Sequence, residues 1–464
     1  MTKPIHHIAI FGASPDAPLA ALFLKRKLNN FCPRVTLIKP NSEAGSMVFS
    51  TTPTLRSLHA ELKIPEPSFV KQTKAEINLG TEFSGFTQQQ RPSIYTPQAY
   101  GFMMENRRFQ YLFKQLLCNN SNESIEDYNL TAVMARLGRF SPPSNKADSL
   151  FSNIDYGYSV HQTMYTSFLE SLCLKDSIEI HNSDIRNVDL DSHGAINELY
   201  LQEGTTVSAD FYFDCSFGQL LHKAVSSEST IEDSYPFELI EQRVFTQFVQ
   251  TKPYSRVEAT QNQLILCSDH DKSCFTQSFK LAEDEPQQPS EGFWFEPKPW
   301  KRNCITLGPA SVRRIESVIG DIELSYHSLN TFMALWPRTK FFEIESRTYN
   351  KIISTKYRKT LDLDQFLIAI AFNKQDFLPE SVRQRLNAFC YNASSMKEDD
   401  SVLTEQQWSA LFYSLGYVPK YVDVSVKDIN TDTLSQQFRQ FKETLKQAAE
   451  SLPSYESFTQ KVHY

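Results

Sequence analysis

Apolar and polar positions along the chain follow several rhythms. Ile5-His6-His7-Ile8-Ala9-Ile10-Phe11 is nearly unbroken and predicts a buried strand. Pro18 to Leu28, apolar at Leu19, Ala20, Leu22, Phe23 and Leu28, predicts a helix, and Arg34-Val35-Thr36-Leu37-Ile38 a second strand. Helices are expected over 53–62 and 107–117, with a further helical turn at 68–74 between them. Ile77 to Phe86 alternates like one strand. Tyr158 to His161 leads into a helix through Leu174, and 177–201 reads as a small antiparallel sheet. Phe211 to Ser216 and Cys304 to Gly308 are buried strands. The stretch 237–295 is mostly strands, interrupted by a polar loop over 280–289. A helix is expected from about Ile315 to Leu335, and the remainder is largely helical, most clearly over 351–372 and 433–449.

Strand, turn, helix and strand in the first forty residues make a βαβ unit of the kind that opens a dinucleotide-binding domain. Its turn should carry G-x-G-x-x-G; the chain offers Gly12, Ser14 and Ala17. Ser14 puts a side chain where phosphate approaches backbone, and Pro15 and Pro18 lack N–H donors. Lys39 stands where an acid would bind ribose hydroxyls. Two readings stay open: a nucleotide site with altered contacts, or a sheet that binds no dinucleotide.

Composition narrows the rest. The 464 residues allow two or three units, with 41% hydrophobic and 22% charged positions. A net charge of −7 argues against nucleic acid as a partner. The eight cysteines form no C-x-x-C and no zinc-type cluster, so no metal is expected. With a strand starting at residue 5 and no apolar run of membrane length, the expectation is a cytoplasmic protein without a membrane partner.

A series of ordered motifs carries a resemblance. They are Thr51-Thr52-Pro53-Thr54-Leu55-Arg56, Asn78-Leu79-Gly80-Thr81-Glu82-Phe83, Tyr158-Ser159-Val160-His161 and Asp214-Cys215-Ser216. Trp300 to Gly308 follows as W-x-x-N-C-I-x-L-G, then Val312-Arg313-Arg314-Ile315-Glu316-Ser317, Gly416 to Pro419 and Leu452 to Phe458. In this order they resemble the flavin-dependent tryptophan halogenases over nearly the whole length. The resemblance implies an α/β fold: a flavin-monooxygenase-like Rossmann-type sheet domain with a β-rich substrate region, and an added helical domain. Residues 1–335, including the β-rich segment at 237–300, and 336–464 are the expected divisions. It also implies FAD as cofactor, a lysine that delivers the halogen beside an indole, and a nearby glutamate.

The chain departs from that pattern. The lysine position holds Asn78, and an amide cannot form a haloamine. Lys74, on a continuous strand, would lie roughly 13 Å away. The W-x-W-x-I-P box aligns with Gln261 to Leu266. The flavin- and halide-holding loop aligns with Met47 to Thr51, placing Phe49 at its glutamate, with Ser50 and Thr51 beside it. Glu316 and Ser317 persist, followed by Val318 and Ile319. Glu316 reads either as a retained acid or as a first-turn residue favourable to a helix dipole. His161 reads as a substrate contact or a helix-start residue. By family position the FAD contacts are Gly12, Ser14, Ala17, Lys39, Phe49, Ser50, Thr51 and Asp214. Two functions follow. One is a non-halogenating homologue acting as a binding or partner protein. The other is an FADH2/O2-dependent halogenase or monooxygenase on an indole or similar aromatic. A weaker third is an NAD(P)-linked oxidoreductase in which Lys39 meets a 2′-phosphate. Expected partners are an indole-type ligand, a paralogous halogenase or flavin reductase, and a second copy in a homodimer.

Overall fold

The βαβ unit forms as its apolar run predicts. Strand β1 (His7–Phe11) is buried at every position, helix α1 (Asp16–Lys27) follows, and β2 (Arg34–Lys39) returns parallel to β1. A strand covered on both faces has no reason to alternate. The protein is described by a computed structural model covering residues 5–28, 34–41, 47–89, 91–119, 122–226, 232–233, 239–247, 250–281, 293–337, 343–394, 396 and 401–463. Part of the expected 280–289 loop lies outside these residues.

The first sheet has the order β19-β20-β12-β1-β2-β8, with β8 (Glu179–Asn182), β12 (Phe211–Asp214), β19 (Trp300–Lys301) and β20 (Cys304–Thr306). All neighbours are parallel except β19 with β20. Residues 179–182 were expected in the small antiparallel sheet; instead they extend this one, Ser183 N–H continuing the ladder onto the Lys39 carbonyl at 2.9 Å. The antiparallel sheet is β9 (Ile185–Leu190), β10 (Ile196–Leu201) and β11 (Thr206–Val207).

Two further sheets shape the interior. One is antiparallel, β3 (Val48–Ser50), β7 (Gly157–His161) and β4 (Glu76–Asn78), in the order β3-β7-β4. Tyr158 to His161 is therefore strand, and its last residue, His161, is also the N-cap of α6 (Gln162–Lys175), the helix-start position expected for it. Gly157 is required here, because a Cβ on it would lie 1.8 Å from the Thr51 carbonyl oxygen. The other sheet runs β14-β17-β16-β15-β5-β6, with β5 (Thr81–Ser84), β6 (Ser93–Tyr95), β14 (Leu239–Gln247), β15 (Ser255–Ala259), β16 (Leu264–His270) and β17 (Ser273–Leu281). The single strand expected over 77–86 is thus two, in different sheets. Leu79 N–H donates to the Pro253 carbonyl, and a Cβ on Gly80 would come within 2.4 Å of the Tyr95 carbonyl oxygen. Partners remote in sequence break the strand directly after Asn78. Three short strands, β13 (Glu232–Asp233), β18 (Trp294–Phe295) and β21 (Val312–Arg313), form a last small sheet.

Helices α2 (Thr54–Glu61) and α3 (Glu66–Thr73) follow β3, and α7 (Leu220–Ala224) follows β12. The helix expected from Ile315 begins at Asp321 as α8 (Asp321–Ala334), behind a Gly320 N-cap in extended conformation. Beyond it lie α9 (Glu343–Ala371), α10 (Glu380–Asn392), α11 (Glu405–Ser414), α12 (Thr431–Glu450) and α13 (Tyr455–His463), as the amphipathic pattern predicts. On α12, Phe438 packs against Phe109 of α4 (Phe109–Asn119), and α12 also covers α5 (Leu130–Arg136). No described helix is long and apolar enough to cross a membrane.

Candidate functional site

Gly12, Ser14, Ala17, Lys39 and Asp214 all lie at or just beyond the carboxyl edge of the first sheet, and all but Ser14, whose buried hydroxyl has no hydrogen-bond partner among the described residues, are committed to the protein itself. A Cβ on Gly12 would be 2.7 Å from Cys215 Cβ and from its carbonyl oxygen, so this glycine lets β1 and β12 close together. Ser14 and Ala17 are buried, and Ala17 N–H donates to the Ser14 carbonyl at 3.1 Å. Lys39 Nζ pairs with Glu170 at 2.7 Å. Asp214 is fully buried and caps α7. One oxygen accepts from Ser216 N–H and Oγ–H at 2.9 and 2.6 Å; the other accepts from Leu221 and His222 N–H at 2.8 and 3.0 Å.

The head of α1 has an occupant. Asp16, only 5% exposed, accepts from Ser325 Oγ–H of α8 at 2.6 Å. A Cβ on Gly308, itself at φ +54°, would lie 2.4 Å from the Asp16 carboxyl carbon. Burial pushes the Asp16 carboxyl above the usual carboxylate range. A pyrophosphate needs N–H donors at a helix head. Here it would meet a carboxyl group, with Pro15 as the N-cap residue and Pro18 one turn in. These residues do not fit a dinucleotide bound in the Rossmann manner.

Six other predicted residues, Phe49, Ser50, Thr51, Asn78, Glu316 and Ser317, do converge. They line a cavity of about 860 Å³, counted out to its solvent mouth, between β3, the β4–β5 junction, one face of β15–β17 and the loop before α8. Its apolar walls include Phe49, Leu266, Phe275 and Ile319. Ser50 Oγ lies 2.9 Å from both Ser159 Oγ and Ser268 Oγ, tying β3 to β7 and β16. Thr51 is held on both sides by Tyr158, accepting from its N–H at 2.9 Å and donating its own N–H to the Tyr158 carbonyl at 2.8 Å.

Asn78 is buried and its amide is engaged at both ends. Nδ2–H donates to the Thr51 carbonyl at 3.3 Å; Oδ1 accepts from Gly80 N–H at 3.3 Å and Ser255 N–H at 3.2 Å. It braces three backbone segments where the chain passes between sheets. Lys74 does not share its strand. It ends α3 in a left-handed conformation and its ammonium sits on Asp271 at 2.9 Å. Gln261 and Asn262 lie in the β15–β16 turn, and of the aligned tryptophan box only Leu266 reaches the cavity. His161 ends β7 outside the cavity lining, its ring beside those of His270 and Phe245.

The floor of the cavity, residues 316–319, rests on an ionic cluster that the sequence motifs did not reveal. The fully buried Arg314 guanidinium donates to Asp321 at 2.9 Å, to Asp364 of α9 at 2.5 Å, and to the carbonyls of Ile315 and Ile319. Ser317 Oγ–H donates to the same Asp364 at 2.6 Å. Arg314 thus fixes residues 315–319 as a loop, which is why α8 starts late. Glu316 is consequently no first-turn residue: its Oε2 accepts from Asp321 N–H at 3.1 Å from outside the helix. Burial, then the Asp321 charge, push the Glu316 carboxyl well above the ordinary range, against the pull of Arg314. Asp321 is likewise raised, by burial first. One signal was present in the sequence: Asp364 interrupts the apolar stripe Ile353, Tyr357, Thr360, Leu361, Phe366 and Leu367 on α9.

This architecture, a parallel sheet carrying a cavity between two further sheets with helices closing the end, is that of the flavin-dependent halogenases. The chain is similar to a flavin-dependent halogenase from Brevundimonas sp. BAL3, with TM-score 0.89 at 17% identity over 99% of each chain. It is similar to another from Xanthomonas campestris, with TM-score 0.88 at 20% identity over 99% of each chain. A tryptophan halogenase from Shewanella frigidimarina NCIMB 400 gives TM-score 0.83 at 16% identity, over 99% of this chain and 98% of that one. At such identities the likeness is one of fold. No curated protein sequence matches. The sequence profile of the tryptophan halogenase family matches residues 7–263 and 281–431, and the chain belongs to that family.

Proposed function

We propose that this protein is a non-halogenating member of its family, a binding or partner protein whose cavity takes a small, neutral, indole-type aromatic. The observation that carries the proposal is Asn78: the family's lysine position holds an amide whose oxygen and nitrogen are already bonded to backbone. Among the described residues no lysine lines the cavity, and Lys74 is held by Asp271. No lysine amine is there, among the described residues, to carry an activated halogen. The plugged head of α1 supports the same reading. A neutral ligand suits apolar walls that include two phenylalanines, with Gln98 and Gln277 to orient it and Glu316 holding its proton.

A second reading, an FADH2/O2-dependent halogenase or monooxygenase, draws on Glu316, a proton-holding carboxyl group facing the cavity. Calorimetric titration of the full-length protein with FAD, reduced FAD and indole separates the two. The expected result is heat from indole at micromolar to millimolar concentrations and none from either flavin up to several hundred micromolar. Micromolar flavin binding overturns the proposal and makes the second reading the better one.

A further inference from the structure

The sheet that walls the cavity carries a second cluster, which meets the cavity lining at Arg256 and Cys267. Register fixes the arrangement. Arg256 pairs with Cys267, Cys267 with Thr276, and Asp269 with Cys274. Cross-strand partners share a face, as do residues two apart on one strand. Arg256, Cys267, Asp269, Cys274 and Thr276 therefore share one face and Val257, Leu266, Ser268 and Phe275 the other, and Arg256 and Cys267 also reach the cavity lining. Asp269, buried, clamps Arg256 with two bonds of 2.7 and 3.0 Å and accepts from Lys252 N–H at 3.0 Å. The clamped guanidinium donates to Cys274 Sγ at 3.2 Å. Each sulfur lies 3.7 Å from the Thr276 hydroxyl, so one side chain touches both thiols.

We propose that Cys267 and Cys274 are a redox pair, with Cys267 the nucleophile toward a hydroperoxide and Cys274 the resolving thiol. The two differ in ways that suit these roles. Cys274 is buried, and Cys267 is half-buried and reachable. The Cys274 S–H directed at Cys267, then Thr276 and Arg256, bring the Cys267 thiol down to about 6, whereas Cys274 is pushed far up. A low-pKa, accessible thiol beside a resolving one is the pattern of a peroxide-sensitive pair. In the first step the Cys267 thiolate attacks one hydroperoxide oxygen. The S–O bond forms, the O–O bond breaks, and the alkoxide (or hydroxide) leaves and takes a proton. In the second, Cys274 gives up its proton and attacks the sulfenyl sulfur; the S–S bond forms and hydroxide leaves as water. Two thiols lose two electrons, and the hydroperoxide becomes one alcohol and one water. Diagonal neighbours on paired strands have Cα atoms roughly 7–8 Å apart, and a disulfide spans up to about 6.8 Å. Closure therefore needs the two cysteines to approach by about an ångström, which shifts or twists the strands that also carry Leu266 and Phe275.

The test is peptide mass mapping of the full-length protein treated with a few equivalents of hydrogen peroxide and then alkylated. Trypsin cuts after Lys272, between the two cysteines, so a disulfide appears as two linked peptides two mass units lighter than their sum. The expected result is that linked pair, with the exposed Cys118 still alkylated. In Cys274→Ser, Cys267 should be trapped as a sulfenic acid by dimedone; in Cys267→Ser, Cys274 should stay reduced. Without peroxide, iodoacetamide at pH 6.5 should label the half-buried Cys267 and leave the buried Cys274 unlabelled, as the opposite shifts of the two thiols dictate. Both thiols remaining alkylatable in the native protein after excess peroxide overturns the proposal. That readout uses the unaltered protein, so it stands if a variant fails to fold.

Discussion

The head of α1 and the cavity at Asn78 both depart from the family's signature residues, and the structure treats the two departures differently. At α1 the space is closed: Asp16 reaches under Gly308 and Ser325, and Ser14, Pro15 and Ala17 are buried around it. At Asn78 the missing ammonium is replaced by backbone bracing, yet the volume beside it stays open. Interior space without contacts is costly, and proteins close it where nothing holds it open. A site abandoned altogether would collapse as the nucleotide turn has. The cavity floor instead rests on the Arg314 cluster, and serine hydroxyls tie the strands around it. The contrast separates a turn filled by the protein's own side chains from a cavity that stays open, though both follow from substitution of signature residues.

The contrast can be broken hardest at the floor. Asp364→Ala leaves the buried Arg314 guanidinium short of a partner, and the expected loss of stability is about 3–5 kcal/mol in urea unfolding, with the cavity's ligand affinity falling as well. A loss under about 1 kcal/mol would show that the floor is not what holds the space open. Next is Asn78→Ala, which strips the acceptor from the buried Gly80 N–H and leaves Ser255 N–H only the Gly80 carbonyl at 3.0 Å. About 1–3 kcal/mol should be lost, and Asn78→Asp, which keeps the acceptor, should lose less.

Much of this layout was readable beforehand and some was not, for identifiable reasons. The βαβ unit shows because burial on both faces writes itself as an unbroken apolar run, and α9 and α12 show because one-sided burial writes a helical period. Six cavity residues were found through the order of motifs. What stayed hidden was decided by distant partners. Leu79 and Gly80 leave their strand because Pro253 and Tyr95 meet them, and α8 starts late because Arg314 reaches Asp364 from fifty residues away. The Cys267–Cys274 hairpin was masked by its turn. Asp271 and Lys272 both adopt positive φ without the glycine or asparagine that announces such turns.

Two milder changes sharpen the comparison. Glu316 is raised by burial, so its favourable contribution is complete below the unfolded carboxyl range and is lost as pH rises through its folded value. Glu316→Gln does not titrate. Its urea midpoint should gain on the wild type steadily between pH 5 and pH 8, and a pH-independent difference would mean the carboxyl is already ionised at pH 5. Smallest is Lys39→Ala. The pair with Glu170 is part-exposed, so the cost should be under about 1 kcal/mol, with indole binding unchanged. A larger change in binding would put the sheet edge back into the site.

The bond between Arg314 and Asp364 also sets a timetable. Chains leave the ribosome N-terminus first at roughly 5–20 residues per second, so the fifty residues between the two mean a wait of roughly 3–10 s. Until α9 has emerged, the guanidinium that organises residues 315–319 has no aspartate from that helix to meet. The parallel sheet can assemble earlier, because its last strand ends at Thr306. The ligand space is therefore among the last parts of the molecule to be finished, and nascent chains halted between these two points should be cut by protease at 315–319 while the sheet resists.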